Sequence, residues 1–130
     1  MIDQTTALAL TLAVELSVVV AWSRRARSAA GARRGAEAAW SRILAAGLLP
    51  SLLTHPFAWR AAAALPVAGY ARGVLVIEVV VVLVETVLLR LLLRSAWRDA
   101  FLLALVANAA SFAVGALLAQ AGEGLERRDA

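Results

Sequence analysis

The sequence predicts an all-α, polytopic membrane protein: a bundle of four transmembrane helices in a single domain, residues 1–130. Three observations predict it. Hydrophobic residues make up 62% of the 130, with a mean hydropathy of +0.80. Soluble domains hold roughly 45–50% apolar residues, and one this small cannot bury such an excess. The apolar residues fall into four runs separated by arginine-bearing connections. All four tryptophans stand at the ends of those runs, where an amphipathic ring prefers the membrane interface.

A membrane-crossing helix needs about 20 mostly apolar residues. The first run covers 5–22; it lacks a basic leader, with Asp3 the one charge before it, so it reads as a retained helix and not as a cleaved signal. The second covers 43–59 and is interrupted by Pro50 and Pro56; proline removes a backbone donor and bends a helix. The third covers 70–93, and the fourth 101–120.

The arginines orient these runs. The connection 23–42 carries Arg24, Arg25, Arg27, Arg33, Arg34 and Arg42, and the turn after the third run is flanked by Arg90, Arg94 and Arg98. These nine of the 13 arginines lie on one side, predicted to be cytoplasmic, which leaves both termini outside. The localisation expected is an integral protein of a prokaryotic inner membrane. Trp22, Trp40 and Trp97 mark the inner interface, Trp59 and Tyr70 the outer one. The 23–42 connection reads as a topology determinant with a short surface helix broken at Gly31 and Gly35; its alternative use is binding anionic lipid headgroups.

Several functions are disfavoured. The chain has no cysteine, hence no disulfide, thiolate metal site or thiol nucleophile. Its net charge of +4 comes without the aromatic-basic pattern of a nucleic-acid binder. A phosphate-binding glycine loop, HExxH and a nucleophile elbow are missing, as is the Glu-plus-ExxH pattern of di-iron bundles. The residues leave the cofactor, if one is used, unidentified.

The unusual residues are acids inside apolar runs: Glu15, Glu78 and Glu85. Each costs roughly 2.5–3.5 kcal/mol to insert at mid-membrane. The sixteen Val, Leu and Ile residues of 74–93 offset the two on the third helix with about −5 to −10 kcal/mol. Glu78 and Glu85 are seven apart and share a face. The 1.5 Å rise puts Glu15, Glu85 and Asn108 within about 4 Å of mid-depth, while His55, with Thr54 beside it, and Glu78 lie about 6 Å to the outer side. Thr11 shares the face of Glu15. Buried carboxylates without a fixed countercharge take up a proton or a cation. Asn108 and Thr side chains could complete an oxygen shell. His55 could relay protons or, with Glu78 and Glu85, hold a transition metal. The plainer reading is that these groups hydrogen-bond helix to helix. On the fourth helix Ala107, Ser111, Gly115 and Ala119 recur every four residues, a small-residue stripe expected to pack closely.

The order of Glu15-Leu16, Thr54-His55-Pro56, Glu78 with Glu85, and Asn108-x-x-Ser111-x-x-x-Gly115 resembles small, uncharacterised four-span prokaryotic integral membrane proteins. The resemblance implies the span count and no activity. The first functional expectation is a proton or cation transporter or conductor, working as a homo-oligomer in the lipid bilayer. The alternatives are an accessory subunit of a larger membrane complex, and a membrane enzyme acting on a lipid-linked substrate.

Overall fold

The computed structural model describes residues 4–30 and 36–126, which form four helices: α1 (Gln4–Ala30), α2 (Ala36–Ala63), α3 (Tyr70–Leu93) and α4 (Trp97–Glu126). Strands are absent from the described residues. Each helix packs against its chain neighbours, and α1 closes the ring against α4. Short connections between successive helices give an up-down-up-down bundle, with α1 diagonal to α3 and α2 diagonal to α4.

The helix ends follow from local chemistry. α3 coincides with its apolar run. It is bounded by Gly69, whose φ of 88° suits glycine, and by Arg94, left-handed at φ 52°. The left-handed turn at Arg94 lets the chain reverse within residues 94–96. α1 runs past its apolar stretch because the arginines and alanines that follow it are strong helix formers, and α4 also runs past its own, to Glu126. For the same reason the 23–42 connection contains no separate surface helix among its described residues. α1 continues to Ala30 and α2 already starts at Ala36; Gly31 and Gly35 lie outside the described residues. α2 continues through Pro50 and Pro56 to Ala63.

The buried apolar core sits toward the arginine-rich end. Val19, Ile43, Ala46, Leu89, Ala100, Leu103 and Ala104 form it, with contributions from all four helices. Small residues bring the helices together. A Cβ on Gly47 of α2 would meet Leu16 Cδ1 of α1 at 2.6 Å and its Cα at 3.0 Å, so only glycine permits that approach.

Elsewhere the usual distribution of polarity is inverted. Glu85 and Glu15 are 2% and 4% exposed, while Leu75, Leu91 and Phe112 are 65–67% exposed. Val76, Val80, Leu83, Val84 and Val87 continue an apolar outer face on α3. Among the described residues, two helices are long and apolar enough to cross a membrane, over Thr5–Arg25 and Trp97–Leu118. Only 11% and 17% of their apolar windows is buried, the opposite of a core helix in a soluble domain. The other two are interrupted: α2 by Pro50, Ser51, Thr54, His55 and Pro56, α3 by Glu78, Glu85 and Arg90.

Candidate functional site

Helical spacing aims one face of each helix at the bundle axis. On α1 that face carries Thr11 and Glu15, one turn apart. On α2 it carries Thr54, His55, Ala58, Trp59 and Ala62. On α3 it carries Val74, Ile77, Glu78, Val81 and Glu85, and on α4 Asn108, Ser111 and Phe112. Together these line a single cavity of about 240 Å³. It is large enough for several waters.

The two innermost acids stand on the diagonal. Ser51 of α2 donates its hydroxyl to Glu15 Oε2, and Ser111 of α4 also lies against that carboxylate. Thr54 of α2 donates to Glu85 Oε1 at 2.8 Å, and the Asn108 amide of α4 donates to Glu85 Oε2. Glu15 and Glu85 are near enough to repel one another, and both feel the charge of Glu78. Among the described residues no arginine lines the cavity. Three carboxylates facing one space without a countercharge favour entry of a proton or a cation.

The hydrogen bonds allow for a proton. Thr54 has one hydroxyl hydrogen and two acceptors in reach, Glu85 Oε1 at 2.8 Å and the Pro50 carbonyl oxygen at 3.0 Å. With Glu85 ionised, Thr54 donates to it. With Glu85 protonated, the acid donates to Thr54, whose own hydrogen turns to Pro50. The Asn108 amide has two hydrogens and serves both Glu85 and the Ala104 carbonyl oxygen, the latter at 2.9 Å. Both protonation states are therefore satisfied without movement of heavy atoms.

The cavity is asymmetric. One turn beyond Glu15 stands Val19, one turn beyond Glu85 stands Leu89, and one turn before Asn108 stands Ala104. These belong to the apolar core, so the cavity is closed toward the arginine-rich end. In the other direction its lining reaches Ala62 and Val74, near the 64–69 connection. His55 and Glu78 lie on that path. The His55 Nε2 atom is buried without a hydrogen-bond partner, and its ring lies 6.0 Å from that of Trp59. Glu78 is half-buried and has no side-chain hydrogen bond among the described residues.

No protein family, curated protein or solved structure matches this chain.

All five residues expected at an ion or proton site, Glu15, Glu78, Glu85, Asn108 and His55, line the same cavity. The ligand set Glu78, Glu85 and His55 is not drawn into a metal centre. Among the described residues no three acidic or histidine side chains are close enough to share an ion. Thr54 does not sit at the outer level with His55 and Glu78; its bond to Glu85 puts it at the inner one. The midpoint of an apolar run marks depth poorly on α2, where prolines interrupt the run. The small-residue stripe divides. Ala107 is buried and Ser111 lines the cavity, whereas a Cβ on Gly115 would meet no neighbour within 4 Å beyond its own stretch of helix among the described residues. The Ala119 side chain lies outside the described residues. Ser51 is a member that sequence reasoning missed. Its signal was its spacing, three residues before Thr54 and four before His55 on one face of α2.

Proposed function

We propose that this chain is a four-span inner-membrane protein that binds protons or cations in its acidic cavity and moves them across the bilayer. The observation that carries the reading is the convergence of Glu15, Glu78 and Glu85 on one cavity that no arginine lines. The apolar outer surface and the buried polar residues support a lipid surround for all four helices. In that setting the interruptions of α2 and α3 are the inward-facing polar groups of the site. The arginine-rich end is cytoplasmic and both termini face out.

The access order follows the cavity. A cation enters from the outer end past Glu78 and His55 and reaches the Glu15–Glu85 pair. The apolar core blocks it there, so passage to the cytoplasmic side requires that core to part. Assembly as a homo-oligomer supplies a surface against which the helices can rearrange.

Liposomes carrying the purified protein test this directly. Cation or proton flux is expected with the native chain and is expected to be lost in Glu15→Gln and Glu85→Gln. Flux that persists in both variants removes these acids from the mechanism.

A second reading is favoured by the bonds themselves. Ser51–Glu15 and Thr54–Glu85–Asn108 join α1 to α2 and α2 through α3 to α4, as they would in an accessory subunit held together by polar contacts. Glu78 argues against a purely structural role, since it faces the cavity without holding another helix. Copurification with a stoichiometric partner, and no flux from the chain alone, would favour this second reading.

A further inference from the structure

We infer that the cation accepted by the cavity is an organic ammonium bearing apolar groups, an inference that rests on the cation-binding reading above. Size is the first reason. A bare metal ion is held by several ligands at about 2.0–2.6 Å, yet this cavity measures about 240 Å³ and offers no three-ligand cluster among the described residues. Its negative charge is spread along the wall from Glu78 to Glu85, which suits a bulky cation.

The aromatic lining is the second reason. Trp59 and Phe112 border the same cavity as Glu78. An ammonium group is attracted to the face of such rings, most strongly to tryptophan.

The third reason is what lies behind the wall. Thr54, Ala58, Ile77 and Val81 line the acidic cavity and also border a groove of about 490 Å³ between α2 and α3. Apart from Thr54, that groove is lined by apolar side chains such as Phe57, Val80 and Leu88. Apolar substituents of an ammonium held by the carboxylates have Ala58, Ile77 and Val81 of the cavity wall to lie against.

The test uses the full-length purified chain and titration calorimetry with tetraethylammonium, benzyltrimethylammonium, sodium chloride and magnesium chloride. Benzyltrimethylammonium is expected to bind at least tenfold more tightly than either metal ion. Trp59→Leu and Phe112→Leu keep apolar bulk but remove the ring, and each is expected to weaken that binding by roughly two- to thirtyfold. A measurement on the native chain guards against misfolded variants: the ammonium should slow modification of Glu85 by dicyclohexylcarbodiimide, followed by mass spectrometry. Equal affinity in both aromatic variants overturns the inference. So does an absence of ammonium binding and protection alongside proton or sodium flux that needs Glu15 and Glu85; the broader proposal then stands. Acid-dependent movement of no cation at all removes both.

Discussion

Glu85→Gln separates the charge of the central carboxylate from its hydrogen bonds. A glutamine at this position can turn its oxygen toward Asn108, which already donates to that side. Its amide then donates to Thr54, and the Thr54 hydrogen moves to the Pro50 carbonyl oxygen 3.0 Å away. Asn108 keeps its 2.9 Å bond to Ala104. Thr54, Asn108 and Pro50 stay satisfied, and the second amide hydrogen faces the cavity that Glu85 lines, which has room for water, so unfolding free energy should change by no more than about 1 kcal/mol. Glu85→Ala differs sharply. It leaves a void beside Thr54, which keeps its bond to Pro50, and one Asn108 amide hydrogen without an acceptor, at roughly 1–3 kcal/mol for the unpaired buried donor in addition to the cavity. The assay pairs denaturant unfolding in detergent with flux in liposomes. Glutamine should abolish flux in a protein of native stability, and alanine should lose both. Native-level flux in Glu85→Gln, or a loss of more than about 3 kcal/mol in that variant, would refute the account of this network.

Four further changes probe other levels of the structure. Ser51→Ala removes the donor to buried Glu15 and should cost roughly 1–3 kcal/mol in denaturant unfolding; Ser51→Thr should restore most of it. Gly47→Ala brings a Cβ to 3.0 Å from the Leu16 backbone. The strain expected from such overpacking is about 1–3 kcal/mol, visible as a lower unfolding midpoint. Leu103→Ala hollows the core beneath the acids, where Leu103 is 1% exposed. It should cost about 2–5 kcal/mol and raise passive leak through the liposome membrane. Val80→Arg puts a charge on an exposed apolar face of α3. Facing lipid it should cost about 2.5–3.5 kcal/mol on insertion and reduce membrane-integrated protein in a fractionation assay; full tolerance would count against a lipid surround there.

Part of this architecture was legible in the residues. The run 70–93 gave α3 to the residue, because a glycine and a helix-terminating turn bracket an unbroken Val/Leu stretch. α1, α2 and α4 were longer than their apolar runs, since hydropathy reports the apolar length only; beyond it, alanine and arginine carry α1 and α2 further. The site was legible wherever two independent rules agreed. Glu78 and Glu85 share a face by their spacing, and Glu15, Glu85 and Asn108 share a depth by their position within a run. Thr54 was misplaced and Ser51 passed over for one reason: the register of α2 against its neighbours depends on how a proline-interrupted helix packs. Glycine contacts such as Gly47 on Leu16 set that packing, and no periodicity encodes it. The α2–α3 groove was illegible for the same reason, since it arises from how two helices separate.

The hydrogen bonds that favour a structural role for Glu15 and Glu85 do not oppose a transport role. A polar group in the middle of a bundle must be satisfied in every state the protein visits. A carboxylate held by arginine would be satisfied only when ionised, and releasing it would leave a buried cation behind. Here the donors are neutral hydroxyls and an amide, and at Glu85 the Thr54 hydroxyl can reverse between donor and acceptor. Such a network holds the helices with equal effect before and after the charge on Glu85 is neutralised. The bundle can then bind and release a proton or a cation without losing its own cohesion. On the proposed reading, Glu78, which holds no other helix among the described residues and lies nearer the outer end, is the charge that draws the ligand in.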